Sequence, residues 1–470
     1  MKAIQDIQPT VTDTGGKIYN KSVRGLYANW RIAMVWFTQI IFYGLPWLAW
    51  NDRQAFMFDL GARKFYIFGL VLWPQDVIYL TFLLILSAFG LFLFTAVAGR
   101  LFCGYACPQT VYTEIFMWIE KHVEGDRMAR IRLDDGPWNA RKLRLKSTKY
   151  LLWALVAFWT GFTFIGYFAP IRELGHDLIT LSLGPWQWFW LGLYSLMTWG
   201  FGGVLRDQVC KYMCPYARFQ SVMVDQDTYI VTYDPVRGDP RGKRSRKTDH
   251  KAAGLGDCVD CSLCVQACPT GIDIRNGLQY MCIGCGACID ACDEVMDKMN
   301  YDRGLIRYSS ERAITERLTP QEVRRHTFRP RILVYTVLIV VFIAVFIGSL
   351  ATRNPLRIDV IRDRGALGRE APGGWIENVY RLQMINAAEE PLTLTIQATG
   401  LPGLEVLVGQ QRTSHITLEP AANRLEPVIV RMPASEAQSG LHEIKFVAEG
   451  KSPSGNEVGL QEKSSFVVPQ

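Results

Sequence analysis

The chain has 470 residues with 51 Lys and Arg against 44 Asp and Glu, a net charge of +7, and its length allows three modest domains. Its apolar content of 49% is ordinary on average, but it gathers into stretches of about twenty residues, enough to cross a bilayer. The basic runs flank those stretches, where they read as topology signals and lipid contacts and exclude a nucleic-acid-binding class.

In chain order, residues 1–31 form a polar tail without the apolar core of a cleavable signal peptide, so the first span is expected to act as an internal anchor. Spans are predicted at 32–50, 77–98, 150–170, 186–204 and 332–350. The apolar piece FYIFGLVLWPQD (65–76) is too short to span and carries Pro74 and Asp76; it is expected to be interfacial or re-entrant. Lys and Arg collect in the tail (Lys2, Lys17, Lys21, Arg24, Arg31), at 100–149, and at 206–331 with GKRSRK at 242–247. The loops at 51–64 and 171–185 are nearly balanced. This asymmetry predicts a polytopic α-helical membrane protein with its N-terminus and both basic loops in the cytoplasm and its C-terminus outside.

Two predicted spans run into the same motif. GRLFCGYACPQ (99–109) follows one and LRDQVCKYMCPYA (205–217) follows another, each a Cys-x3-Cys-Pro. In unbroken helix Cys103 and Cys107, like Cys210 and Cys214, would share a face with Cβ atoms about 5–6 Å apart. An unstrained disulfide needs a closer approach. Proline pushes the preceding residue out of helical geometry and itself suits a first helical position. Cys107 and Cys214 are therefore each expected to open a new helix, where the dipole favours a thiolate.

Further on stand DCVDCSLCVQACPTG (257–271) and MCIGCGACIDACDE (281–294), the bacterial two-cluster spacing written twice. Tight x2 spacings wrap three thiolates round three irons, and the fourth cysteine is expected to start a helix directed at the other cubane. One [4Fe–4S] cluster is assigned to Cys258, Cys261, Cys264 and Cys292. The other falls to Cys282, Cys285, Cys288 and Cys268. CxxC pairs also suit zinc, but eight cysteines in a doubled pattern set zinc aside. Gly284 and Gly286 fit a close approach of backbone to the cluster.

None of the twelve cysteines lies in residues 351–470, the part placed outside. Structural disulfides would show the opposite distribution, so these thiols are read as metal or redox groups. For Cys103, Cys107, Cys210 and Cys214 two readings stay open: a copper ion, since soft thiolates favour Cu(I) and the clusters deliver electrons singly, or a third cluster extending the electron path. The six histidines (122, 176, 250, 326, 415, 442) lie outside the predicted spans, which argues against a membrane b-type haem. After the last span, YRLQM, LTLTIQA, LEVLV and HEIKFVA between glycine- and proline-rich turns predict an antiparallel immunoglobulin-like sandwich without a disulfide, serving as a docking or stabilising module. Met384, His415, Met432 and His442 within it could touch copper, but their spacing forms no recognisable site.

The order of these parts resembles the cytochrome c oxidase accessory protein family called CcoG, FixG or RdxA, a family of membrane polyferredoxins. The resemblance covers nearly the whole chain, with residues 256–299 its most distinctive block. The resemblance accords with the organisation read from the residues: a tail at 1–31, a four-span membrane domain at 32–204, a cytoplasmic segment at 205–330 with the ferredoxin domain at about 250–300, a fifth span at 331–350, and a periplasmic immunoglobulin-like domain at 356–470. It further implies a cupric reductase of the bacterial inner membrane that makes Cu(I) for a cbb-type haem-copper oxidase, with Cys103, Cys107, Cys210 and Cys214 catalytic. Copper chaperones, oxidase assembly factors and a cytoplasmic electron donor would be its partners. The same cysteine pairs resemble those of the membrane ferredoxins NapH and NosR. That likeness implies a subunit relaying electrons from quinol or a cytoplasmic donor, with a third cluster at these four residues.

Overall fold

A computed structural model describes residues 17–246, 249, 251–362, 368–409, 414–453, 455 and 457–469. Lys2, Lys247 and His250 lie outside the described residues. The chain divides into two compact units, one from the chain up to Leu48 with Thr81–Ala344, the other from Ala49–Leu80 with Val345–Gln470. All twelve cysteines belong to the first.

The helices that position the site are α1 (Leu26–Gly44), α2 (Val77–Ala98), α3 (Leu101–Tyr105), α4 (Pro108–Glu124), α5 (Arg127–Asp135), α6 (Ala140–Ile165), α7 (Pro185–Thr198), α8 (Pro215–Met223), α9 (Leu263–Ala267), α10 (Ala287–Met299) and α11 (Pro330–Ala351). Three are long and apolar enough to cross a membrane: α2 with its leading turn from Pro74, α6, and α11. In α2 and α11 only 6% of the apolar stretch is buried by protein. Leu84, Val337 and Val341 stand more than half exposed. A bare apolar surface of that extent needs lipid, and the chain is a membrane protein.

Elsewhere the boundaries shift from the predicted ones. The first span closes at Gly44, not at residue 50, because Pro46 sits in a single tight turn (Leu45–Trp47) and residues 49–50 pair with 53–54. The third opens earlier, at Ala140, where the Asn139 side chain accepts from the Lys142 N–H. The fourth is only 14 residues of α-helix before the chain widens into π-helical turns at Trp199–Leu205 and Val209–Met213. Lys146 and Lys149, expected at lipid, are buried instead against Glu120, Glu124 and Asp134.

In the second unit the piece at 65–76 is largely strand. It supplies two strands of a meander, β1 (Phe56–Asp59), β2 (Lys64–Ile67) and β3 (Leu70–Leu72), because Phe68, at φ 53°, and Gly69 fold the apolar run back on itself. Met57, Tyr66, Val71 and Trp73 pack with Ile385 and Ala387. Asp76 is buried between Arg353 and Arg357, each at 2.6 Å.

The same unit holds β4 (Leu356–Arg362), β5 (Arg369–Ala371), β6 (Trp375–Asn386), β7 (Leu392–Thr399), β8 (Glu405–Val408), β9 (His415–Leu418), β10 (Asn423–Pro433), β11 (Gly440–Lys451) and β12 (Glu457–Val468). One sheet runs β8-β10-β6-β4 with β5 on β6, the other β9-β7-β11-β12. Inward alternate residues, among them Leu382, Leu394, Val430, Phe446 and Phe466, meet in one apolar core. Met384 and Met432 belong to that core, whereas His415 faces Thr395 and His442 faces the Gln438 carbonyl. These four residues converge on no site.

Candidate iron–sulfur and membrane-edge cysteine sites

The eight cysteines of the doubled motif line two cavities. One is walled by Cys258, Cys261, Cys264 and Cys292 with Val295, Met296, Leu305 and Ile306. The other is walled by Cys268, Cys282, Cys285 and Cys288 with Val231, Ile272, Ile274 and Ile283, and Cys264 reaches it too. Each run has thus lent its fourth cysteine to the other run's loop. Among the described residues no three His, Cys, Asp or Glu side chains converge as ligands of a single ion. Two apolar, thiol-lined cavities suit two cubanes, and the residues present fit the group.

Local structure explains the exchange, with one difference from expectation. Neither fourth cysteine starts a helix. Cys268 caps the C-terminal end of α9, and Cys292 lies in α10 one turn after Cys288, on the same face. Gly284 and Gly286 take left-handed backbone (φ 64° and 71°). A Cβ on Gly286 would meet the Tyr27 ring at 2.7 Å, and one on Gly284 the Arg100 carbonyl carbon at 3.3 Å. Neighbouring protein, in addition to any cluster, thus demands glycine here.

The paired motifs share one geometry. Cys107 and Cys214 are extended residues (ψ 128° and 112°) standing directly before the helices that Pro108 and Pro215 begin. The Cys107 N–H reaches back five residues to Phe102 O (3.0 Å), and the Cys214 N–H does the same to Val209 O (2.9 Å). Such wide turns recur at functional positions in helices. The four thiols are electrostatic neighbours: Cys103 feels Cys107 and Cys210, and Cys214 acts on both Cys107 and Cys210. They offer no three-ligand position for a single ion in this arrangement.

The first motif rests on the wall of the second cavity. A Cβ on Gly104 would lie 2.8 Å from Ile283 O and 2.9 Å from both Cys285 Cα and Gly284 O. Arg31 donates to Cys285 O at 2.9 Å and Tyr105 to the same oxygen at 3.3 Å, while the Tyr308 hydroxyl donates to Gly284 O. Cys103 donates to Gln220 Oε1 at 3.4 Å and packs with Ala267, Ile283 and Cys285. A cleft opens beside Cys210, lined among others by Glu114, Met117, Trp153, Pro269, Thr270 and Ile283. Arg31, Tyr308 and Gln220 were not signalled by any motif; Arg100, Gly104 and Tyr105 lay inside the first quoted stretch, but only the fold gives them a partner.

Electrostatics correct a further expectation. At Cys107 the N–H groups of Gln109 and Thr110 favour the thiolate, yet burial outweighs them and the thiol moves up from its usual value. Burial also pushes Cys103 to about 12 and Cys210 to about 11. In the ferredoxin loops it pushes Cys264 and Cys282 to about 12 and Cys285 to about 11, with Cys288 and Cys292 raised as well. A metal or cluster must displace these protons to bind.

Fold and sites together define a membrane-bound iron–sulfur electron-transfer protein with two [4Fe–4S] clusters and an immunoglobulin-like domain. Residues 205–311 match a family model described as a 4Fe-4S dicluster domain, residues 80–124 one described as a 4Fe-4S binding domain, and residues 346–469 one described as the IG-like fold at the C-terminus of FixG. The chain is 37% identical to the nitrogen fixation protein FixG of Rhizobium meliloti, over 96% of this chain and 93% of that one. It is 39% identical to the protein RdxB of Cereibacter sphaeroides, over 90% and 91%. Among solved structures, a FixG-related protein from Vibrio parahaemolyticus matches with 24% identity and a TM-score of 0.22, covering 25% of this chain and all of that one. The chain belongs to the FixG/RdxA family.

Proposed function

We propose that this protein reduces Cu(II) to Cu(I) at the cytoplasmic membrane edge, for assembly of a cbb-type haem-copper oxidase. The observation that carries the reading is the seating of Gly104, inside the first Cys-x3-Cys-Pro motif, on the Ile283–Cys285 backbone of the second cavity. When bound, the clusters supply one-electron transfer. The chain's own residues do the rest. Apolar side chains line both cavities, and Arg31, Tyr105 and Tyr308 fix the second loop against the motif. Cys103, Cys107, Cys210 and Cys214 offer soft sulfur, which favours Cu(I) over Cu(II). One electron taken by Cu(II) gives Cu(I), with no proton or atom transferred. The cleft at Cys210, carrying the Met117 thioether and the Glu114 carboxylate, admits the ion.

In this reading the N-terminus and both basic loops are cytoplasmic, the immunoglobulin-like domain is periplasmic, and Cu(I) passes to copper chaperones and oxidase assembly factors. A second reading has its own support: the 4Fe-4S binding match at residues 80–124 contains Cys103 and Cys107, which favours a third cluster at the four membrane-edge cysteines. A Cys103→Ser/Cys107→Ser variant separates the two. Under the copper reading, iron content stays at the wild-type level and Cu(II) reduction is lost. A fall in iron by about a third, with Cu(II) reduction unchanged, would establish the third cluster instead.

A further inference from the structure

The two cavities meet solvent differently. Of the twelve cysteines Cys261 alone is exposed. Asp260 and Ser262 on either side of it take left-handed backbone, at φ 50° and 57°. The second cavity is instead covered, with Arg31 and Gly104 against its loop.

A basic run lies along the exposed side. The Gly242 N–H donates to Cys258 O at 3.4 Å, Arg244 donates to Gly256 O at 2.7 Å and Cys258 O at 3.3 Å, and Arg241 donates to the carbonyl of Arg275, a residue of the cavity wall. Most carboxylates on this face are already engaged: Asp260 and Asp273 with Arg275, Asp239 with Arg241, Asp257 with Arg237. Asp249 accepts from the N–H groups of Lys251 and Ala252. Lys243, Arg246 and Lys251 are exposed, and no ion pair engages them among the described residues.

We propose that this face is the electron entry port and that it receives a small soluble one-electron carrier protein whose redox centre is ringed by acidic side chains. The proposal rests on the electron-transfer reading above but not on copper as acceptor. Unengaged cations beside a solvent-reaching ligand attract an acidic partner and orient it, raising its rate of encounter. The carrier would lose one electron to the group that Cys258, Cys261, Cys264 and Cys292 would hold, with no proton or bond changing hands.

The test embeds the full chain in nanodiscs and uses an acidic flavodoxin as probe. Charge reversal at Lys243→Glu, Arg246→Glu and Lys251→Glu together is expected to weaken flavodoxin binding, followed by surface plasmon resonance, and to slow its electron delivery, each by about tenfold or more. Reduction by the methyl viologen radical, a small cation that needs no docking, should not fall. In the unmodified protein, delivery by flavodoxin should slow as salt rises from ~0.05 to ~0.5 M. Unchanged binding in the reversed variant overturns the proposal, as does salt-independent delivery in the unmodified protein. The salt series decides alone if the variant fails to fold. Delivery that depends on the anionic-lipid content of the nanodisc in the unmodified protein but not in the variant gives the run to the membrane, and also overturns it. Cu(II) reduction driven by viologen reads the other question: its absence in both proteins removes the copper reading and leaves the port standing.

Discussion

At Gly104 the nearest atoms to an added Cβ are backbone atoms of the cluster loop, at 2.8–2.9 Å, and backbone cannot rotate away. Gly104→Ala is expected to destabilise the cluster-loaded protein by about 1–3 kcal/mol, an overpacking cost seen as a lower thermal midpoint. It should also slow electron arrival at the membrane-edge cysteines, measured by stopped-flow. The residue scale also carries a pH dependence. The thiols of Cys264 and Cys282 ionise at about 12 in the cluster-free fold against the usual 9.0. Folding therefore favours the protonated thiol: that contribution is intact below 9.0 and is lost as pH rises towards 12. Cluster-free protein should melt lower at about pH 10 than at about pH 8, while the loaded protein, whose thiolates are already bound, should change less. The cysteine sets were legible in the sequence because ligand spacing is a local property. The role of Gly104 was not, because the loop it touches lies some 180 residues away.

Among the elements, α4 ties the two paired motifs together. It opens at Pro108, next to Cys107, and three turns later places Glu120 fully buried beside Arg206 (2.7 Å), Arg130 (2.9 Å) and Lys149 (3.8 Å). Arg206 lies one turn before Cys210, has left-handed backbone (φ 41°) and stacks on Trp153. Three cations hold the Glu120 carboxyl below its usual value in spite of burial. Glu120→Gln leaves Arg206 and Arg130 without this counter-charge, while Lys149 keeps Glu124 at 3.1 Å, and is expected to cost about 3–5 kcal/mol, read as a large drop in thermal midpoint in detergent. Reversal by a compensating Arg206→Gln would tie the loss to this pair. Charge counting along the sequence could not find the network. It sums Lys146, Lys149 and Arg130 as a basic loop, whereas the fold turns α4, α5 and α6 so that they meet carboxylates. The strands at 65–72 were hidden for a related reason: apolar length was visible, but the reversal at Phe68 and Gly69 was not weighed.

Across the whole molecule, chemistry and β-structure occupy different units. Every cysteine lies in the first, whereas the segment between α1 and α2 joins the C-terminal strands in the second. The apolar helices α2 and α11 leave their surfaces to lipid. Span 77–98 and the sandwich strands were readable in advance because a lipid-facing helix is apolar all round and a half-buried strand alternates. Spans one and four were harder, since Pro46 and the π-helical turns shorten helices whose apolar runs continue.

The account depends above all on two neighbouring four-thiol cavities being filled at once. Iron analysis combined with EPR of the fully reduced, unmodified protein tests this most directly. It predicts about eight irons per chain in the ferredoxin cavities and a spectrum broadened by spin coupling between two reduced cubanes. About four irons with one uncoupled signal would contradict it.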